Sequence, residues 1–395
     1  MHASRRNLLG LGAAFGFVSA SLIAACGQVP LVTMTDRKVP AGIALPADGA
    51  PAPTDAEDPV ALGKALDALA GQRLILVGES HDRLDHHLNQ LAVIRGLHER
   101  GVPVAVGMEF FQEPFQSHLD AYVAGEIDER RLLRETEYYE RWRYDFRLYR
   151  DILSYAREHR LPLVALNAPA ELSRRVSRVG IAGLDSDERS LMPSDLATPD
   201  AAYLERLRPV FEMHGHASPE GLQRFAEAQM LWDEHMARVA RDYVTANPDR
   251  TLVILAGDGH VAYPDAIPGR LGRMLGEEPA VVVSGSPERY TEGRFDVLLA
   301  ERDIELTPPG STGMRLAKGK AGVTVDQVGT STPAARAGLR PGDRIVSIGG
   351  EPVADIPDLR LALLDRAPGE RVRIEVERGE GPESGRRLAR VLRLL

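Results

Sequence analysis

A chain of 395 residues with 44% hydrophobic side chains holds material for two domain cores rather than one. Its formal charge of −9, with no basic run interleaved with aromatics, argues against nucleic acid as a partner. A single cysteine, Cys26, leaves no internal disulfide, thiolate metal site or covalent Cys-x-x-Cys-His haem attachment, so any cofactor must be held by His, Tyr, Asp, Glu or Met.

Residues 1–25 have the make-up of an export signal: Arg5 and Arg6, an apolar run from Leu8, then small residues. Ile23-Ala24-Ala25-Cys26 resembles a bacterial lipobox. That resemblance implies that Cys26 becomes the lipid anchor of a cell-envelope lipoprotein, membrane-bound and facing the periplasm or the outside. Ser4 to Leu9 also fits a twin-arginine signal, with an ordinary basic leader as the alternative. Residues 26–58, rich in Pro, Ala, Gly and Asp without an apolar period, read as a flexible tether.

Over residues 59–308, the apolar runs "RLILVGES", "PVAVGMEFF", "LPLVALNAP", "TLVILAGDGH" and "PAVVVSG" alternate with amphipathic helical patterns. Runs without period-2 alternation predict an α/β fold, a parallel sheet flanked by helices. Ligands in such sheets sit beyond the carboxyl ends of the strands. There the sequence puts Glu79 and His81, Glu109, Asn167, then Asp258 and His260. One such carboxylate is usually a cap, but four strands ending this way predict a shared cleft. Two Glu and two His in one cleft suit a divalent metal, or a His acting as general base beside a carboxylate.

The helical stripe Leu84, Leu88, Leu91 and Ile94 takes His87 inward and turns His86 away. Seven aromatics crowd residues 138–155, with Trp142, Phe146 and Tyr149 expected on one helical face, either as core or as cofactor contacts. His214 and His216 fall in a loop before a helix that sets Gln229 and Asp233 on a mostly apolar face.

In order, "VGESHDRLDHHLNQ", "VGMEFFQEPFQ", "DFRLYRDILSYAR", "VALNAP", "HGHASPEGLQRFAEAQMLWDEHMA" and "LAGDGHVAYPDAIPGRL" resemble the ChaN-like haem-binding lipoprotein family across about 60–300. The resemblance implies an α/β lipoprotein that binds haem non-covalently for iron uptake, as a homodimer enclosing cofacial haems. By motif position it assigns the iron-ligand role to Tyr149 and the histidine role to His214 or His216, with Arg143, Arg147 and Arg150 near enough in sequence to pair with a phenolate or with propionates. The same strand ends also resemble the erythromycin esterase, TraB and Tiki group, which implies the alternative of a metal-dependent hydrolase acting through Glu79, His81, Glu109 and His260. "GESHD" lacks the second glycine of a serine nucleophile elbow.

A Pro-Pro-Gly break at 308–310 precedes a segment, 309–395, with 15 basic against 11 acidic side chains, opposite in sign to the rest. Its "STPAARAGLRPGDRIVSIGGEPV" resembles the PDZ domain of bacterial proteases, a small β-barrel or sandwich. The resemblance implies capture of a peptide or protein C-terminus by strand addition, beside a loop from Ser311 through Thr312 and Gly313 to Met314, with Met314, Leu316, Leu359 and Leu363 lining the groove. Thr312 stands where the family has an apolar residue. The alternative is a PDZ fold that only docks on its own body.

Overall fold

The computed structural model describes residues 54–395 apart from 70, 194–195, 197, 214–217, 291–292, 320–321 and 380. The leader, Cys26, nearly all of the tether, and His214 and His216 lie outside the described residues. Among those described, no helix is long and apolar enough to cross a membrane.

Six strands form the first sheet: β1 (Leu74–Glu79), β2 (Val104–Gln112), β3 (Leu163–Asn167), β4 (Thr251–Gly257), β5 (Ala280–Ser284) and β6 (Val297–Leu299). Their order is β3-β2-β4-β1-β5-β6 and every pairing is parallel. Alternate residues feed two cores. Ile75, Val77, Val106 and Val253 pack on one face, while Leu74, Leu76, Ala105 and Ile254 pack on the other. Because helices cover both faces, the strands need no polar alternation, and they read as continuous apolar runs. β6, three residues long, is too short to stand out as a run. The chain steps from β1 out to β2 and β3, then returns to insert β4 between β1 and β2. That reversal opens a crevice at the carboxyl ends of β1, β2 and β4.

Two helical expectations change. Residues 142–149 do not continue a helix: Tyr138–Arg141 stops, Arg143 adopts a φ of 74°, and Asp145 accepts from the Arg147 amide at 3.0 Å to start a 3-10 turn, Phe146–Leu148. A left-handed residue followed by a competing aspartate breaks the register before the next helix, Arg150–Glu158. Trp142, Phe146 and Tyr149 are nevertheless all buried. His86, expected to face away, is buried as well, because the chain near Glu301 covers that side of the helix Leu84–Glu99. Its Nδ1 accepts from the Ser80 amide at 3.0 Å and its Nε2 lies 3.1 Å from Glu301.

The second sheet is antiparallel: β7 (Met314–Gly319), β8 (Gly322–Val328), β9 (Arg344–Ile348), β10 (Glu351–Pro352), β11 (Arg371–Glu377) and β12 (Arg387–Arg393). Its order is β12-β11-β9-β8-β7, with β10 on β9. It has a core of its own around Val325, Ile345, Ile374 and Leu392. β7 is an edge strand. Its Met314 and Leu316 are half-buried and pack against the cluster that holds Leu359 and Leu363 of the helix Ile356–Leu363. Before β7, Gly313 sits at φ 72°, where a Cβ would come within 2.3 Å of the Thr332 side chain, so only glycine fits. Thr312 is buried, and its carbonyl accepts from the Ala334 amide at 3.1 Å.

Candidate functional site

The strand ends converge. Glu79 closes β1, Glu109 lies near the end of β2, and β4 runs directly into the short helix Asp258–Val261 that carries His260. Glu79, His81, Glu109 and His260 are all buried, none more than 3% exposed. His81 Nδ1 meets Glu79 Oε1 at 2.5 Å, and Glu109 Oε2 accepts from the Gly257 amide at 2.7 Å. Donor atoms of Glu79, His81 and Glu109 fall within 4.8 Å of one another. The other oxygens, Glu79 Oε2 and Glu109 Oε1, are buried without a hydrogen-bond partner. A buried carboxylate oxygen left this way costs free energy unless something cationic or protic meets it.

His260 joins the cluster from the opposite side. Its Nε2 is 3.6 Å from Glu109 Oε1, and its Nδ1 is 2.6 Å from Asp233 Oδ1 on the long helix Pro219–Ala246. A proton on Nδ1, donated to Asp233, leaves Nε2 facing the cleft as a base. Burial would raise the Glu79 carboxyl, yet His81, with His87 and His86, holds it below the ordinary range. Burial pushes His87 down, against the pull of Glu79 4.0 Å away. Burial likewise raises Asp258, opposed by Arg289.

Glycines make room for this packing. A Cβ on Gly257 would sit 2.9 Å from the His81 ring, and one on Gly78 would sit 2.4 Å from Asp258 Oδ1. The His81 ring is held on its other side by Trp142 at 4.7 Å and Tyr144 at 5.0 Å between centroids, so it has nowhere to retreat. Asn167 has a structural part, donating to the Glu109 carbonyl at 3.0 Å.

Tyr149 lies behind the cleft rather than in it. It is 0% exposed; its hydroxyl donates to the His81 carbonyl at 3.3 Å and accepts from Trp142 Nε1 at 3.1 Å. Burial pushes its phenol well above the usual range, opposite to what a phenolate ligand needs. The nearby arginines are also engaged elsewhere: Arg147 with Asp145, Arg150 with Glu129 and Asp365, and Arg143 with the Glu140 carbonyl. The cavity that adjoins the cluster at Glu109, lined also by Phe110, Trp142 and Trp232, has about 20 Å³, room for about one water and far short of a porphyrin. These residues do not form a haem seat. Glu79, His81 and Glu109 do fit a divalent cation, because mixed carboxylate and imidazole donors suit zinc and its neighbours.

Asp233 is the partner that strand-end reasoning alone does not supply; its signal is a carboxylate on an apolar helix face. Tyr144 and Arg289 leave no such mark. Arg289 lies 3.1 Å from Asp258, which also accepts from Tyr290 at 3.0 Å.

Residues 65–271 match the family described as haem-binding uptake, Tiki superfamily, ChaN, and residues 310–384 match the PDZ domain. The chain is 24% identical over 256 residues to the chloroplastic protein RETICULATA-RELATED 5 of Arabidopsis thaliana, covering 59% of this chain and 34% of that one. It is 34% identical over 102 residues to the putative serine protease HhoB of Synechocystis, covering 24% of each. The chain thus spans about a third and a quarter of these relatives. Among solved structures, ChaN of Campylobacter jejuni, described with cofacial haem binding, is 18% identical at a TM-score of 0.47, covering 57% of this chain and 86% of that one. With just over half of its length matched by the family pattern, the chain belongs to the ChaN family of haem-binding uptake proteins and carries a PDZ domain behind that body.

Proposed function

We propose that this protein is a lipid-anchored member of the bacterial cell envelope that handles haem for iron uptake and recruits a protein partner through its PDZ domain. Membership of a haem-binding family is the observation that carries the reading. The open edge of β7 beside Leu359 and Leu363 supports the PDZ part, since strand addition needs an unpaired edge next to an apolar groove. The lipobox-like Ile23–Cys26 supports the anchor. Cys26→Ser is expected to move the protein from the membrane fraction to the soluble fraction; a variant still pelleting with membranes would reject the anchor.

Because the strand-end cleft has no space for a porphyrin, haem binds elsewhere on the body in this reading, with His214 or His216 as the histidine and a homodimer enclosing the haems. Titration with ferric haem, followed by absorbance, tests it. His214→Ala together with His216→Ala is expected to abolish the bound spectrum. Tyr149→Phe is expected to leave that spectrum unchanged and to cost about 1–2 kcal/mol of stability through its lost hydrogen bonds. A lost spectrum in Tyr149→Phe would restore Tyr149 as the ligand, and a parent that gives no haem spectrum would refute the haem reading.

A second reading rests on one specific observation, the buried carboxylate oxygens of Glu79 and Glu109 that have no hydrogen bond in a cluster whose donor atoms, with His81, lie within 4.8 Å of one another. In it Glu79, His81 and Glu109 would hold a divalent cation, which would supply Lewis-acid chemistry for hydrolysis of an ester or amide. His260, oriented by Asp233, accepts a proton at Nε2. Trp142 and Trp232 line the adjoining cavity and keep it largely apolar.

A further inference from the structure

The helix Ile356–Leu363 of the PDZ domain presents two faces. Leu359 and Leu363, four apart, border the groove beside β7. Leu361, with Leu364 just past the helix end, joins the apolar cluster of the ChaN-like body instead. One helix therefore forms a wall of the peptide groove and a contact with the body.

A ring of charges frames that contact. Arg134 forks onto Asp355, the N-cap of the groove helix, with both bonds at 2.8 Å, and reaches Asp358 at 3.3 Å. Arg150 meets Asp365 at 2.6 Å, and Arg130 donates to the Leu361 carbonyl at 2.6 Å. These pairs are partly exposed, so each singly holds the domains together only weakly and is screened by salt. Two leucines and a few exposed ion pairs make a contact that a ligand can shift.

From the PDZ side, Arg360 reaches the wall of the cleft. Its guanidinium lies over the Tyr139 ring, 5.5 Å from the centroid, and donates to the Arg143 carbonyl at 3.3 Å. Arg143 is one of two non-glycine residues that bound this stretch in the left-handed region, at φ 74°, the other being Glu137 at φ 50°. Such backbone persists only where its surroundings hold it. Between and just beyond them lie Trp142 and Tyr144, the two rings that pack edge-on against His81.

We propose that the groove helix of the PDZ domain props this aromatic wall, so that a peptide in the groove and a ligand at Glu79, His81 and Glu109 alter each other's affinity. Peptide insertion between β7 and the helix shifts Arg360, the strained turn at Arg143 follows, and Trp142 and Tyr144 move against His81. Linkage makes the effect reciprocal: whatever factor the peptide imposes on the cleft ligand, the ligand imposes on the peptide. The coupling rests on the peptide-binding reading of the PDZ domain and on the cation reading of the cleft; the propping of the wall rests on neither.

The chain's two tryptophans flank the cleft, Trp142 with its ring 4.7 Å from that of His81 and Trp232 6.0 Å from that of His260, so the emission of the full chain reads the cleft and not the PDZ domain. Without peptide, Arg360→Ala combined with Arg134→Ala is expected to red-shift that emission and increase quenching by acrylamide, and molar salt is expected to do the same to the parent. A short peptide ending in leucine with a free carboxylate, but not its amide, is expected to shift the parent's emission with the saturation curve that calorimetry gives. It is also expected to change zinc affinity by at least about fivefold. In the double variant the peptide still binds, and the emission shift and zinc effect are lost. Peptide binding without an emission change overturns the coupling. If calorimetry finds no peptide binding, the PDZ reading and the coupling both fall, and the peptide-free emission of the variant still decides whether the helix props the wall. Parent-like emission in that variant, with unchanged circular dichroism, overturns the prop itself.

Discussion

Glu109→Gln is expected to weaken zinc or manganese binding by at least about 100-fold, with Glu79→Gln close behind, while ferric haem binds as in the parent. Glutamine keeps the shape at either position. At Glu109 its carbonyl can still accept from the Gly257 amide, whose bond to Oε2 is 2.7 Å. What is lost is the charge on an oxygen that has no hydrogen-bond partner now and can be satisfied by a cation. Stability separates this from a fold defect. Removing one of two buried carboxylates within 4.8 Å of each other relieves repulsion in the metal-free protein, so Glu109→Gln is expected to melt at or above the parent's temperature without metal, whereas Glu79→Gln gives up the charge that His81 holds at 2.5 Å and is expected to melt below it. Cation at 100 times its dissociation constant is expected to stabilise the parent by about 2.7 kcal/mol and the variants hardly at all. Any hydrolysis of a chromogenic ester by the parent is expected to disappear in both variants. A parent with no melting shift and no bound metal by elemental analysis would sink the hydrolase reading and leave haem handling standing.

The cleft is largely legible in the sequence because its geometry follows from strand chemistry. Side chains at the carboxyl ends of β1, β2 and β4 project into one crevice once the sheet is parallel, and continuous apolar runs already announce a parallel sheet. Glu79, His81, Glu109 and His260 are brought together in this way. The partners that orient them are less visible. Asp233 reaches His260 from a helix that begins more than 30 positions before it in sequence, and only its place on an apolar stripe hints at a buried role. His86 defeats the stripe argument, because a helix covered on two sides buries polar residues that periodicity assigns to solvent.

The aromatic segment shows a different limit. Spacing placed Trp142, Phe146 and Tyr149 on one helical face, and all three are buried, but by a broken helix in which Arg143 takes a left-handed conformation. No single-residue propensity foretells an arginine there; the surrounding contacts impose it. That difference matters for function. It turns Tyr149 inward, under the His81 carbonyl, and brings Trp142 and Tyr144 against the His81 ring. The role carried to Tyr149 by motif position therefore meets a phenol that is fully buried and hydrogen-bonded to the His81 carbonyl and Trp142.

Asp233→Ala is expected to be the most destabilising single change near the cleft, costing about 3–5 kcal/mol. Asp233 is 1% exposed and serves three neighbours: His260 Nδ1 at 2.6 Å, the Tyr203 hydroxyl at 3.4 Å and Arg270 at 3.6 Å. Arg270 is itself only 3% exposed, so removing the carboxylate leaves a buried guanidinium with Glu234, 3.0 Å away, as its remaining acidic partner. For a body of this size that loss lowers the melting temperature by roughly 10 °C, which calorimetry resolves easily. Asp233→Asn isolates the orienting role from the bulk effect. The amide still fills the space and can still accept from Tyr203, but it no longer supplies the charge that favours a proton on His260 Nδ1. The asparagine variant is therefore expected to fold, keep its zinc affinity within about tenfold and lose most of any hydrolytic rate, since Asp233 is not a metal-facing group. Nuclear magnetic resonance of the His260 ring gives a readout independent of activity: the proton on Nδ1 in the parent should move to Nε2 in a measurable share of Asp233→Asn molecules. A variant with the parent's tautomer, melting temperature and rate would show that the 2.6 Å contact contributes neither to the fold nor to the chemistry.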